Sequence, residues 1–417
     1  VLDLEAVLES MHGLADEVRR SRDETLRRRE RGQQQLQAAR RMTALRGAVQ
    51  SFGEDMALPA ANVDLGETHA PPAVGDYTVI ATDGSQVAPD YHHVAPWYII
   101  NTGCAVLRYG PPPGRARSRL ASQPILKPPR RGGPVPGEED DPAADARAAA
   151  VSMGGRIEVE RLRAELELAS RLLDDEGDPG RTVLLLDGPL IQWRMISDLR
   201  GPEKGEIIRL FKELVWRSRE MRIPIAGFIS RSRAVEWVTL LRFSLCPDVA
   251  AFGQLCGACR QGLLRYNSEP PRDAHHEPLA GLRDTELASG LLRREQRGWR
   301  TAVVELQSRM WNKEITEGAG AAGFFYLQTG TEISRVELPQ WVWEDEEQLS
   351  LLHGAIWDQC EVGHGYPMAL SEAHEAAVVR APEREAFYVA IERILRNHDI
   401  PDAMPSAKAR SKRRPLA

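Results

Sequence analysis

Apolar positions recur at three- and four-residue spacing over Leu4, Val7, Leu8, Met11, Leu14 and Val18, so residues 1–50 are predicted as helix. Beyond Val18 the stripe thins into Arg- and Gln-rich sequence, including Arg27-Arg28-Arg29-Glu30-Arg31. Such a charge run makes residues 1–60 a solvated helical arm or a helix that docks on a partner. The texture then changes. Residues 76–82 form a β-branched run, read as a strand that ends in the turn Asp83-Gly84-Ser85. Residues 97–102 and 105–109 are read as two further strands around Gly103, which completes a meander.

Residues 110–154 break the pattern with Pro111-Pro112-Pro113, a basic stretch and Glu138-Glu139-Asp140-Asp141, and are read as a mobile insertion. Residues 156–173 are helical. They lead to Val183-Leu184-Leu185-Leu186, a run polar on neither face, which belongs inside a sheet covered on both sides. A helix over 203–221 and a strand over 223–229 follow. The order of three strands, helix, strand, helix, strand gives an α/β sheet flanked by helices. Helices are predicted over 232–243 and 284–312, strands over 323–328 and 333–338, and a last helix over 370–397. The globular domain is thus expected over 76–400, and residues 401–417 form a basic disordered tail.

The 417 residues carry 54 Lys+Arg against 60 Asp+Glu, a net charge of −6, so contact with a polyanion would depend on local patches. No run of about 18 apolar residues occurs, and no membrane span is expected. The first residues show neither a basic nor an apolar region of the signal-peptide kind. Five cysteines, odd in number and sparse, fit a reducing cytoplasm better than a disulfide framework.

Candidate chemistry starts from Asp83 and Asp187, each at the end of a predicted buried strand and each followed by glycine. Ligand sites of open α/β sheets collect at the carboxyl ends of strands. An isolated aspartate there is commonly a turn former; two on adjacent strands would repel unless a divalent cation lay between them. Hard oxygen ligands suit Mg²⁺ or Mn²⁺. On the helix before Asp187, Glu165 shares the apolar line of Leu162, Ala169 and Leu172, and is the favoured third carboxylate; Glu167 and Glu158 are the alternatives. In Gly365-Tyr366-Pro367-Met368-Ala369-Leu370-Ser371-Glu372-Ala373-His374, Ser371 could cap a helix carrying His374, with Tyr366 in the turn before it. Cys256-Gly257-Ala258-Cys259 is a single pair, and Cys104, Cys246, Cys360, His275 and His276 stand at no diagnostic spacing from it, so these read as ordinary thiols rather than a zinc site. His92-His93 reads as an exposed loop pair. No Walker-type phosphate loop is present, so energy for translocation would come from a partner.

Asp83-Gly84-Ser85-Gln86, Asn101-Thr102-Gly103, Leu186-Asp187-Gly188-Pro189-Leu190, and Gly365-Tyr366-Pro367 with a histidine eight residues after the tyrosine resemble the NurA family of DNA-end-processing nucleases. The likeness runs over about 76–381 and includes the segments 224–231 and 335–339. The resemblance implies an RNase H-like fold and a Mn²⁺-dependent nuclease (Mg²⁺ a possible substitute) with a two-metal site. It implies action on single-stranded DNA and on double-stranded ends during break resection, a homodimer, and a HerA-type hexameric ATPase partner. It maps the family's metal-binding acids onto Asp83, Glu165 and Asp187, and its tyrosine and histidine onto Tyr366 and His374, the histidine as a ligand or proton carrier. Position 231 is arginine where a lysine is common in the family.

Phosphodiester hydrolysis needs an aligned water, a stabilised pentavalent phosphate and a stabilised leaving oxyanion, and two cations held by carboxylates supply all three. Two other readings stand beside this: a non-catalytic DNA-clamping adaptor of a hexameric ATPase, and a different phosphoryl-transfer enzyme of the RNase H-like group. DNA contact is expected from the arginine-rich stretches 27–31, 115–131 and 408–414 through phosphate neutralisation.

Overall fold

A computed structural model describes residues 4–11, 14–39, 43–52, 56–58, 64–88, 97–110, 118–128, 142–190, 201–264, 279 and 281–398. The chain opens with helices α1 (Leu4–Ser10), α2 (Leu14–Ala39) and α3 (Thr43–Phe52) and the short strands β1 (Met56–Leu58) and β2 (Thr68–His69). Strands β3 (Tyr77–Val87), β4 (Tyr98–Tyr109) and β5 (Arg119–Lys127) follow, then α4 (Pro142–Glu176), β6 (Thr182–Asp187), α5 (Gly201–Glu220) and β7 (Ile225–Ile229). Next come α6 (Glu236–Ser244), α7 (Pro247–Phe252), α8 (Gly257–Leu264), α9 (Asp284–Ala288), β8 (Arg300–Thr301) and β9 (Val304–Gln307). A π turn (Trp311–Ile315) leads to β10 (Ala322–Gln328), β11 (Ile333–Pro339), α10 (Gln340–Trp343), α11 (Glu346–Val362), α12 (Met368–Ala377) and α13 (Ala381–Asn397).

These elements form two compact units. The first comprises residues 1–73, 188–190 and 226–366. Its strands run in the order β1-β9-β10-β11-β7, each pair antiparallel. Trp237 stacks on Tyr326 with ring centroids 5.8 Å apart. Arg335 is fully buried there, with its guanidinium 3.9 Å from the Phe324 ring centre and ion pairs to Glu236 and Glu337 at 3.0 and 2.9 Å. The expected arm is only half an arm. Leu4, Leu8, Met11, Leu14 and Val18 are exposed, but Leu36, Ala39, Leu45 and Val49 are buried, and Gln35 donates to Ser244 Oγ at 2.8 Å.

The second unit comprises residues 74–187, 191–225 and 367–417. β3, β4 and β5 form an antiparallel meander, and β6 joins parallel to β3 through the crossover α4, giving the RNase H-like order β5-β4-β3-β6. Thr182 to Leu185 of β6 are wholly buried and Leu186 half-buried, as the apolar run Val183-Leu184-Leu185-Leu186 requires. A Cβ at Gly84 would meet Glu165 and Arg161 of α4, whereas one at Gly103, which pairs with Asp83, would meet the backbone of α12. Side chains alternate along a strand, so α4 and α12 cover opposite faces of the sheet.

Several expectations are corrected. β3 does not turn at Asp83 but continues to Val87, paired with β4 throughout. The two strands expected around Gly103 are one strand, because glycine there lets a helix backbone close on an unbroken ladder. The stretch 110–154 is not all insertion: β5 lies within it, pairing with β4 from Arg119 to Lys127, and α4 begins at Pro142. The helix expected over 284–312 is instead α9, turns, β8, β9 and the start of the π turn, and the helix expected over 370–397 breaks at 378–380 ahead of Pro382. His92, His93, His275, His276 and the 401–417 tail lie outside the described residues. Of the basic stretches, Arg119 and Lys127 are ion-paired to Glu176 and Glu160 at 3.5 and 3.6 Å, and Arg28 pairs with Glu24.

Candidate active site

Parallel pairing of β3 with β6 runs from Thr78 opposite Thr182 to Thr82 opposite Leu186. One step further in that register sets Asp83 beside Asp187, on neighbouring strands with side chains on the same face. Asp83 is held at both oxygens: Oδ1 accepts the Gly84 N–H at 2.7 Å, and Oδ2 lies 2.7 Å from His374 Nδ1. Asp187, the last residue of its strand, is exposed.

Glu165 approaches this strand end from α4. It pairs with Arg161, one turn earlier, at 2.6 Å, and the same guanidinium nitrogen donates to Gly84 O at 3.2 Å. Burial is the main force lifting the Glu165 carboxyl to about 7; Arg161 opposes the rise, while the charges of Asp83 and Asp187 add to it. Glu165 therefore feels both aspartates. Glu167 pairs outward with Arg163 at 3.0 Å, and Glu158 is exposed.

His374 comes from the other face, on α12. The last carbonyl of that helix, Ala377 O, accepts from Ser85 Oγ and, at 2.7 Å, from Asn101 Nδ2, whose own oxygen accepts from Ser122 Oγ at 2.9 Å. Gly103 leaves room for the backbone at Ala373 and Ala377. Asn101, Gly103 and Ser85 thus fix the helix that carries His374, a task that spacing along the chain does not reveal. Ser371 is no cap: the helix begins at Met368 after Pro367, and Ser371 lies inside it. The structure brings Asp83, Glu165, Asp187 and His374 to the second unit. Tyr366 belongs to the first, where its ring meets Phe228 edge-on at 5.4 Å. Arg161 escaped the sequence reading, although its four-residue offset from Glu165 marks a helical ion pair.

The donor set of three carboxylates and an imidazole suits a hard divalent cation, and the Glu165 carboxyl, raised chiefly by burial, is raised further by the charges of Asp83 and Asp187, which such an ion would neutralise. In this conformation the Arg161 guanidinium does part of that work on Glu165, while His374 Nδ1 lies against Asp83 Oδ2. Among the described residues, the ligand atoms of these four groups do not all lie within 4.8 Å of one another. An ion shared by these groups would need their ligand atoms to draw closer than they stand here.

A NurA domain model matches residues 77–379. The crystal structure of the NurA nuclease from Sulfolobus solfataricus resembles the chain at a TM-score of 0.50 and 12% identity, over 95% of this chain and 98% of that one. No curated protein matches. The domain match takes in Asp83, Glu165, Asp187, Tyr366 and His374 and covers most of the sequence: the chain belongs to the NurA family.

Proposed function

We propose that the chain is a divalent-metal-dependent DNA nuclease in which Asp83, Glu165 and Asp187 hold the cation. The observation that carries this reading is the register of β3 and β6, which continued one step sets Asp83 beside Asp187, together with a half-buried Glu165 whose carboxyl feels the charge of both. The solved relative is itself a nuclease by name. A bound cation would polarise the scissile phosphate and acidify an attacking water. The chain's residues do the rest. Asp83 holds His374 at Nδ1, so the Nε2 side of an imidazole that is 60% exposed is the one open for binding or proton transfer. Arg161, tethered to Gly84 O, is a cation available to a phosphate oxygen once it leaves Glu165.

The finer reading is Mn²⁺ as the working ion, Mg²⁺ as a substitute, and two ions sharing the carboxylates. Cleavage would be endonucleolytic on single strands and exonucleolytic at double-stranded ends, during resection of breaks in the cytoplasm. The chain would act as a homodimer fed by a HerA-type hexameric ATPase. Incubating it with end-labelled linear DNA and Mn²⁺ tests the central statement: cleavage that persists unchanged in Asp83→Asn and Asp187→Asn would remove it.

The pairing of Glu165 with Arg161 and of Asp83 with His374 favours a second reading, a metal-free DNA clamp for an ATPase. That reading requires DNA binding and ATPase stimulation with no cleavage at any metal concentration.

A further inference from the structure

Three cysteines meet in the first unit. Cys246 precedes α7, and Pro247 fills its first turn, where a missing N–H costs nothing. Gly253 closes that helix with φ 69° and reverses the chain, so that Cys256 returns to Cys246. Cys256 precedes α8, whose third residue is Cys259. The three Sγ atoms all lie within 4.8 Å of one another. Tetrahedral thiolates around zinc stand about 3.8 Å apart, given Zn–S bonds of about 2.3 Å, so a small contraction suffices to place all three on one ion.

Two backbone N–H groups already aim at sulfur: Cys256 N donates to Cys246 Sγ and Cys259 N to Cys256 Sγ, each at 3.4 Å. Donors of this kind favour the thiolate, the form that binds metal. Cys246 and Cys259 are buried and Cys256 half-buried, which leaves an approach for an ion. Local packing is thin. Val249 is the buried residue of α7, and Phe252 at its end is exposed. A segment with so little core of its own gains from a cross-link.

We propose that Cys246, Cys256 and Cys259 form a tris-thiolate centre for a soft divalent cation, zinc foremost, that ties α7 to α8. Binding releases the thiol protons it displaces. Thiolates select zinc where carboxylates take Mg²⁺ or Mn²⁺, so this centre and the carboxylate group would load different ions. Among the described residues no fourth cysteine, histidine or carboxylate joins the group.

The test is cobalt substitution of the full chain, purified under reducing conditions and stripped with chelator. About one equivalent of Co²⁺ should produce thiolate-to-cobalt charge-transfer absorption in the near ultraviolet, which an equal amount of Zn²⁺ abolishes. Cobalt on carboxylates gives no such band. Cys256→Ser should weaken binding at least ~10-fold, while Cys104→Ser, another buried cysteine, should leave the spectrum unchanged. Absence of the band in the wild-type chain overturns the proposal, as does an unchanged Co²⁺ affinity in Cys256→Ser. Should that variant fail to fold, the wild-type spectrum decides alone.

Discussion

The carboxylate of Glu165 occupies the space that any side chain at position 84 would need. A glycine in the middle of a paired strand normally weakens it, so its presence beside Asp83 reflects this close approach of α4.

Gly84→Ala should therefore cost about 1–3 kcal/mol of stability through overpacking, and reduce cleavage by displacing Glu165 or Arg161. Denaturant unfolding of Gly84→Ala, Glu165→Ala and the double variant checks this. The double variant should be less destabilised than the two single costs added together, because the second change vacates the space that the first one overfills.

Asp83→Asn and Asp187→Asn should each lower metal-dependent cleavage by about 10²-fold or more while leaving the fold intact, since neither change alters volume. His374→Ala should cost less, roughly 10- to 100-fold, if it acts by orienting Asp83. Single-turnover cleavage of labelled DNA at saturating Mn²⁺ ranks the three.

Cation binding should strengthen as pH rises through about 7, where the Glu165 carboxyl gives up its proton. For the metal-free fold the sign is opposite. A carboxyl lifted from 4.5 to about 7 favours the folded state below 4.5, and that advantage is lost as pH climbs through 7. Mn²⁺ titrations at several pH values should show the first trend in the wild-type chain and a flatter one in Glu165→Gln.

His353 gives the complementary acid response. It is buried on α11 with Nε2 2.7 Å from Gly298 O, and burial, with Arg300 nearby, depresses it from 6.5 to about 3. The stability it contributes is present above pH 6.5 and declines as pH falls from there toward 3, amounting to a few kcal/mol at most, on the order of 1.4 per unit. Unfolding curves between those limits should be less pH-dependent in His353→Gln.

Much of this site could be read from the chain because its parts are local. The run Val183-Leu184-Leu185-Leu186 marks a buried strand whatever surrounds it, and Asp187 at its end follows directly. Helical periodicity favours Glu165 among the three glutamates because it sets which residues face the sheet, and the fold sets that carboxylate against Gly84. What escaped depends on distant partners. Gly84 and Gly103 look like turn residues until α4 and α12 are known to lie against them, so β3 and β4 were each predicted too short. The Cys246–Cys256 contact depends on a reversal at Gly253. β5 stayed hidden because its exposed, alternating residues carry little apolar signal, and its pairing with β4 supplies the order instead.

At Gly103 the sheet meets α12 main chain to main chain, with no side chain acting as spacer. The height of His374 above Asp83 is consequently calibrated by a missing methyl group, and selection can detune the imidazole by one atom added at a position that never touches it.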